Sequence, residues 1–301
     1  TISFEGEQVN FKMDAVRAKV LFDLKQKTNV SIFTIFTALY SILQYKLTGE
    51  DDLVIGTPVA GRRHPDLEGI IGMFVNTIAM RLSPKNTLSF TDYLSHVGTK
   101  TISCFENQEY PYEDLIEDLG LRKGKEVNPL FNTLISLNSV QQNSLDNGEF
   151  DIKPYDLKIP TAKFDMVLHI DEDETGLCCS FEYKTKLFQR ETMERFFTFL
   201  CNIIDQVGLN NNVSLGDISL LEKASADKLI ELNDFSDIAY PTHHTLVQLF
   251  EDQVRKTPNY IALTIGTDFM TYEEVNKRSN QVARILRAKN VGPDVIGMMV
   301  T

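Results

Sequence analysis

The segment that most constrains the fold is residues 31–48, where Ile32, Ile35, Phe36, Leu39, Ile42 and Leu43 share one broad helical face. An apolar stripe this wide belongs between layers, so the chain has to supply structure on more than one side of that helix. Gly49 is its stop signal. Ahead of it, from Met13 to about Lys27, Val16, Val20, Leu21 and Leu24 recur at helical spacing and predict an amphipathic helix, with Asn29-Val30-Ser31 as the break. Behind it, Asp52 to Gly56 reads as a short buried strand and Thr57 to Gly69 as a loop bearing Pro, Gly and Arg. Ile71 to Leu82 then reads as a strand with a polar middle. Helices alternating with buried strands point to the α/β class.

The same pattern continues. A helical stretch from Phe90 to about Gly120 is interrupted at Pro111. Strands are expected at Leu130–Leu137, Tyr155–Ile159 and Phe164–Ile170, and Leu177–Tyr183 returns as the second strand of a hairpin. The acidic run Asp171 to Glu174 lacks the oxygen-ligand spacing of a calcium loop and reads, through Gly176, as the solvated turn of that hairpin. Arg190 to Val207 is an amphipathic helix with Met193, Phe196, Phe197, Leu200, Ile203 and Ile204 on one face. Gly208 to about Thr242 has the texture of a linker, anchored by Ile218, Leu220, Leu221 and Leu229. A new globular pattern begins at Thr245, with a helix at 246–256, strands at 261–265 and 268–271, a helix at 272–288 and a last strand at 295–300.

Length and charge narrow the functional classes. The 301 residues suffice for about two domains, and 43% hydrophobic with 24% charged residues is ordinary for a soluble protein. No apolar run approaches the ~18–20 residues of a membrane span, and Thr1 to Gly6 show no signal-peptide pattern. A net charge of −12 and a pI near 4.9 repel nucleic-acid phosphates and anionic lipid, so neither is an expected partner. Cys104, Cys178, Cys179 and Cys201 lack metal-site spacing, and the Cys178-Cys179 pair would point to opposite faces of a strand. Free thiols in a reducing cytoplasm fit best, with no metal bound. There is no G-x-x-x-x-G-K-[ST] or G-x-G-x-x-G loop, and Gly120 to Lys125 has the wrong spacing for a phosphate loop, reading as a charged turn.

Three motifs carry a resemblance. Asp52-Leu53-Val54-Ile55-Gly56-Thr57-Pro58-Val59-Ala60-Gly61-Arg62, with Ile71-Gly72-Met73-Phe74-Val75-Asn76-Thr77 and Arg81 after it, resembles a signature of condensation domains of nonribosomal peptide synthetases. Asn107-Gln108-Glu109-Tyr110-Pro111-Tyr112-Glu113 is similar to that family's next motif, with Glu109 where Asp is usual. Asn128-Pro129-Leu130-Phe131 matches a third, with Val127 where Arg is common. Farther on, Tyr240-Pro241, Thr245 to Val254 and Thr257-Pro258 resemble the start of an adenylation, or AMP-binding, domain. Met270-Thr271-Tyr272-Glu273-Glu274-Val275-Asn276 looks like that family's first core motif.

The resemblance implies an α/β, chloramphenicol-acetyltransferase-like lobe, its mixed sheet covered by helices, over residues 1–222. A linker at 223–243 and an incomplete α/β adenylation N-terminus at 244–301 would follow. It implies antibiotic or other secondary-metabolite synthesis by acyl transfer between thioesters on the phosphopantetheine arms of carrier domains, which would be the partners. ATP with Mg would serve the adenylation domain, and no cofactor would be held by this chain itself. The family's catalytic His-His-x-x-x-Asp-Gly would precede Thr1 and the ATP loop would follow Thr301, so no catalytic residue is expected here. The pair His243-His244 lacks the Asp and Gly and fits a turn at a helix start. His64 is expected to be exposed, and His169 to be a satisfied sheet residue.

Within the implied lobe, Asn76 is the candidate for facing the tunnel between two lobes, the alternative being that its amide satisfies buried backbone groups. Arg62 and Arg81 could organise the same region, face a pantetheine phosphate or form structural ion pairs. Gln108 and Tyr110 are expected to tie a helix end to the sheet, and Gly56, Gly61, Gly72, Pro111, Asn128, Pro129 and Tyr272 to be structural parts of their motifs. Competing functions are a carrier-docking lobe without chemistry, an epimerisation domain of the same fold, or a small acyltransferase using His243. The incomplete tail is expected to expose apolar surface and to favour poor solubility or dimerisation.

Overall fold

The structure is a computed structural model, and it describes residues 3–121, 128–139, 160–173, 176–232 and 244–289. The chain divides into two compact units, Thr1–Leu229 and Ile230–Thr301. The strands expected at 155–159 and 295–300, and most of the charged turn at 120–125, lie outside the described residues.

The first unit is built on strands β1 (Gly6–Lys12), β2 (Leu53–Val59), β3 (Asn76–Leu82), β4 (Thr133–Ser139), β5 (Met166–Asp173) and β6 (Gly176–Lys184). They form one sheet in the order β1-β6-β5-β4-β2-β3. Its centre, β5-β4-β2, is parallel, and both flanks are antiparallel. Helices α1 (Ala15–Thr28), α2 (Ile32–Thr48), α3 (Phe90–Glu106), α4 (Tyr112–Asp118) and α5 (Arg190–Leu209) complete the lobe, and α6 (Lys223–Leu232) follows.

Helix α2 is the keystone that its sequence demands. Every residue from Ile32 to Gln44 is buried, more than the single broad face requires. Its start is capped by the Ser31 hydroxyl, which accepts from the Thr34 N–H at 3.1 Å. Its end closes on Gly49, whose φ of 77° lets its N–H reach the Tyr45 carbonyl at 2.8 Å. Leu21 and Leu24 of α1, Tyr93 and Val97 of α3 and Met193, Leu200, Ile203 and Ile204 of α5 join α2 in one core against the sheet. Val16 departs from its expected place on the apolar face: it is exposed, and Ala18 is buried instead.

On the opposite sheet face a smaller cluster of Phe131, Leu134 and Val167 packs with Val54, Ala79, Tyr112 and Phe164. The sequence reading needs two further corrections in this unit. The strand expected from Ile71 begins only at Asn76, and Ile71, Met73 and Val75 are exposed. Asp171 to Asp173, assigned to the hairpin turn, belong to β5 and pair with Cys178 to Gly176 of β6.

The linker is also more structured than expected. Leu215 and Ile218 are fully or nearly fully buried in the core of the first unit, and residues 223–232 are helical rather than irregular. In the second unit, α7 (Leu246–Lys256), β7 (Ile261–Ile265), β8 (Asp268–Thr271) and α8 (Tyr272–Ala288) match the predicted elements. Both helices start with capping boxes, Thr245 with Gln248 and Thr271 with Glu274. Tyr272 packs on Phe250 with ring centroids 5.9 Å apart. Among the described residues of this unit only Val254 is buried, while Leu246, Leu263, Ile265 and Phe269 face solvent.

Candidate functional site

The three condensation-like motifs are linked across β2 and β3: Asn76, opposite Val59 at the end of β2, holds the second motif's backbone, and the third motif's Phe131 lies on Gly56 in the middle of β2. Gly56 sits between β3 and β4, paired with Ala79 and Leu134. A Cβ there would stand 2.2 Å from the Phe131 ring, so the first motif needs glycine for the third motif's phenylalanine to lie flat on the strand. Phe131 is pinned in turn by Tyr112 and Phe164, at centroid distances of 5.5 and 5.8 Å. Asn128 holds this corner with one oxygen, Oδ1, which accepts from the N–H of Leu130 at 3.1 Å, from that of Phe131 at 3.3 Å and from the Tyr112 hydroxyl. Pro129 follows at the surface. Burial is the main force raising the Tyr112 pKa, and the Asn128 contact opposes it.

Beyond β2 the chain turns outward. Gly61 has a φ of 66°, and a Cβ on it would lie 1.9 Å from the Phe74 carbonyl oxygen, so both dihedral and space demand glycine. Arg62 closes the loop: its guanidinium donates to the Leu67 carbonyl, reaches Gly72 O at 3.4 Å and lies 4.3 Å from the centroid of the Phe74 ring. Gly72 lies against that same ring. With these contacts Arg62 ties residues 62–74 together. The sequence placed Phe74 in the motif without showing that it serves as the platform for Arg62.

Asn76 is likewise committed. Its Nδ2 donates to the carbonyls of Gln108 and Tyr110, both at 2.8 Å, and its Oδ1 accepts from Thr77 N at 2.8 Å. The amide therefore satisfies backbone groups, the alternative weighed for it, and this clamp ties the end of α3 to β3. Gln108 and Tyr110 make the tie through their main chains. Their side chains act locally, Gln108 Nε2 on Phe105 O at 2.8 Å and the Tyr110 hydroxyl on Asp118. The Asp118 carboxylate raises the Tyr110 pKa by accepting that proton's hydrogen bond. Pro111 is the N-cap of α4 and offers no side-chain bond of its own. Arg81 stands apart, exposed on the edge strand β3 and paired twice at 2.7 Å with Asp52, whose pKa it lowers. It is a structural ion pair.

The histidines behave as expected where they are described. His64 is exposed and its Nδ1 accepts from Asp66 N at 3.3 Å. His169 lies on the sheet face away from the large core, its Nδ1 2.7 Å from the Ser136 hydroxyl and its Nε2 3.7 Å from Glu182. His244 stands 3.9 Å from Asp252 ahead of α7, and His243 lies outside the described residues. Among the described residues, no group of three His, Cys, Asp or Glu side chains could hold a metal. No single helix there is long and apolar enough to cross a membrane.

Next to the convergent motifs, on the helical side, a cavity of about 810 Å³ opens between the carboxyl ends of β2 and β4, the start of α2 and one face of α3. Crevices outside the carboxyl ends of parallel strands are where α/β sheets take ligands. The sequence reading did not identify it. Its one local signal was Gly98, a glycine inside an otherwise helical run.

Comparison with known proteins agrees with this architecture. The family described as "Condensation domain" matches residues 1–230. The chain is 40% identical over 290 residues to tyrocidine synthase 2 of Brevibacillus parabrevis, covering 96% of this chain and 8% of that protein. It is 38% identical over 295 residues to gramicidin S synthase 2 of Brevibacillus brevis, covering 97% and 7%. The chain thus spans less than a tenth of the length of these relatives. Among solved structures, a four-domain nonribosomal peptide synthetase bound to AMP and glycine aligns with a TM-score of 0.67 at 19% identity, over 95% of this chain and 23% of that one. The X-domain from teicoplanin biosynthesis aligns with a TM-score of 0.64 at 19% identity, over 73% and 51%. Three motifs linked across β2 and β3, on this fold and with these relatives, lead to one conclusion: the chain belongs to the condensation-domain family of nonribosomal peptide synthetases.

Proposed function

We propose that the first unit is one of two lobes of a condensation domain that joins carrier-bound thioesters, and that residues from 244 onward begin the adenylation domain of the same module. The observation that carries the first part is the frame across β2 and β3 built from all three motifs, in a chain that aligns over about half, 51%, of a solved chain of the fold. The second part is supported by the likeness to the synthases, which runs over 96–97% of the chain, past residue 230 where the family match ends.

The reaction is acyl transfer. The α-amine of one thioester attacks the carbonyl of the other, the C–N bond forms, the C–S bond breaks, and the carrier thiol leaves with the proton from nitrogen. This chain's residues contribute the frame: Asn76 and Arg62 fix the loop and helix end beside the cavity, and Asn128 fixes the corner below. The base or amine-positioning histidine would come from the other lobe. Phosphopantetheine would arrive on the carrier domains. ATP with Mg²⁺ would serve the adenylation domain.

The test is complementation. The chain is joined to the amino-terminal condensation lobe of tyrocidine synthase 2 and mixed with two loaded carrier domains, and amide product is followed by mass spectrometry with chiral analysis. Amide formation that needs both lobes, and stops when the partner lobe's second motif histidine is replaced by alanine, is the expected result. Product from the 301-residue chain alone would instead assign the chemistry to residues such as His243, and inversion without amide formation would make it an epimerisation domain. A docking lobe without chemistry has one observation in its favour, since the X-domain of this fold is solved in complex with OxyB. Carrier binding without amide would establish it.

A further inference from the structure

We infer that one water molecule is bound inside the first unit between α2 and the start of β4, held by the side chains of Tyr40, Gln44 and Thr133. The inference is independent of the proposed reaction and concerns how the keystone helix is fastened to the sheet. Three observations carry it.

The first is a break in an otherwise satisfied pattern. Helix α2 buries several polar side chains, and most of them are bonded. Thr34 Oγ1 lies 2.9 Å from Ser31 Oγ, and Thr37 Oγ1 donates to Phe33 O at 2.8 Å. Ser41 Oγ donates to Ala38 O at 2.8 Å and stands 2.7 Å from the Tyr93 hydroxyl. Tyr40, wholly buried, and Gln44, 9% exposed, depart from this. Neither the Tyr40 hydroxyl nor Gln44 Nε2 meets a protein partner at hydrogen-bond geometry among the described residues. A buried polar group left so forfeits its hydration without return, and native interiors rarely tolerate it.

The second is convergence. Tyr40 and Gln44 are four residues apart, on one face of α2. Thr133 opens β4 beneath them, and its Oγ1 donates to Gln44 Oε1 at 3.3 Å. Burial raises the Tyr40 pKa, and the Gln44 and Thr133 side chains oppose that rise, so the three polar ends share one spot. A direct bond does not close the gap. The Tyr40 ring is fixed in the main core, and exchanging the two ends of the Gln44 amide would serve Thr133 while leaving the hydroxyl unbonded.

The third is the match of donors and acceptors. The Tyr40 O–H and a Gln44 Nε2–H have protons to give, and Thr133 Oγ1, whose own proton goes to Gln44, has lone pairs to receive one. A water here accepts from Tyr40 and Gln44 and donates to Thr133. That makes about three hydrogen bonds, the usual number for an internal water. The site has no carboxylate to hold a divalent cation. The water joins α2 to β4 two residues beyond Phe131, so the helix and the third motif are fastened at one point.

The experiment pairs a crystal structure of the wild-type 301-residue chain with urea unfolding of wild type, Tyr40→Phe, Gln44→Met and the double variant. Density for a water at about 2.7–3.1 Å from Tyr40 Oη, the Gln44 amide and Thr133 Oγ1 is the expected crystallographic result. In unfolding, each single variant should lower the folding constant about three- to tenfold. The double variant should lose less than the product of the two, because both remove the same water. Phenylalanine at 40 that leaves the folding constant unchanged, or raises it, would show a hydroxyl without a partner and overturn the proposal. A crystal structure with Tyr40 bonded directly to Gln44 or Thr133, or with no water on the three groups, overturns it as well. Should a variant fail to fold, the wild-type crystal structure decides alone.

Discussion

Substitution of Gly56 by alanine should be among the most damaging single-methyl additions in this lobe. The new Cβ would sit 2.2 Å from Phe131 Cε2, where ordinary contact starts at about 3.4 Å, so the ring has to retreat by more than an ångström. It cannot do so freely, because Tyr112 and Phe164 hold it and its residue is only 4% exposed. Overpacking of a constrained core site costs about 1–3 kcal/mol, and the pinned ring places this case near the upper end. Phe131→Leu alone should cost about 2–3 kcal/mol through lost area and two lost aromatic contacts. Leucine, however, vacates the space that the alanine methyl needs. The double variant should therefore be less destabilised than the sum by at least about 1 kcal/mol. Urea unfolding followed by far-UV circular dichroism, in a full double-mutant cycle, measures each term. A Gly56→Ala cost below about 0.5 kcal/mol, or additivity within about 0.5 kcal/mol, would refute the reasoning.

Asn76→Asp keeps shape but removes the Nδ2 donors and sets a carboxylate against the Gln108 and Tyr110 carbonyls, so it should lower stability by about 1–3 kcal/mol by urea midpoint. Arg81→Gln, at a fully exposed pair, should leave the thermal midpoint unchanged within error, and a clear fall would show that the pair supports the sheet edge. Burial raises the Cys201 thiol from the ordinary 9.0 to about 11, so the folded state keeps its proton where the unfolded state loses it. That contribution is full below pH 9.0 and is lost as pH rises toward about 11, so wild type should lose stability more steeply across that window than Cys201→Ala. The apolar side chains exposed in the second unit should make the chain self-associate, and a monodisperse monomer in light scattering up to high concentration would contradict that.

What was legible in the sequence depended on the distance over which its causes act. Helix α2 announced itself because Ser31, its apolar run and Gly49 are all local signals, and the capping boxes at Thr245 and Thr271 are equally local. Ile71, Met73 and Val75 show why alternation alone misleads. They repeat with period two as a strand would, yet they project from a loop that Arg62 holds away from the sheet. Hydrophobic pattern records that a residue prefers cover and is silent on which surface provides it. The motif residues were recognisable as a set, but the pairings that explain them, Gly56 with Phe131 and Asn76 with the Gln108 and Tyr110 carbonyls, join distant segments. Tunnel and phosphate roles for Asn76, Arg62 and Arg81 were what the resemblance implied, beside backbone-satisfying and ion-pair alternatives. Geometry gives each a bonding partner in a distant part of the sequence or loop that no local pattern could name. The cavity was invisible because a volume bounded by four elements leaves no mark in sequence beyond one glycine.

The pairing of β1 with β6 bears on how the lobe is made. Gly6 meets Lys184 and Lys12 meets Cys178, so β1 has no sheet partner until β6 has been synthesised. At about 5–20 residues per second that wait is roughly ten to thirty-five seconds. During it β1 offers unpaired main-chain donors and acceptors to any neighbouring nascent chain. Slowing or truncating synthesis ahead of Cys178 therefore lengthens the exposure of one specific edge, and that edge is where misassembly between neighbouring nascent chains would begin.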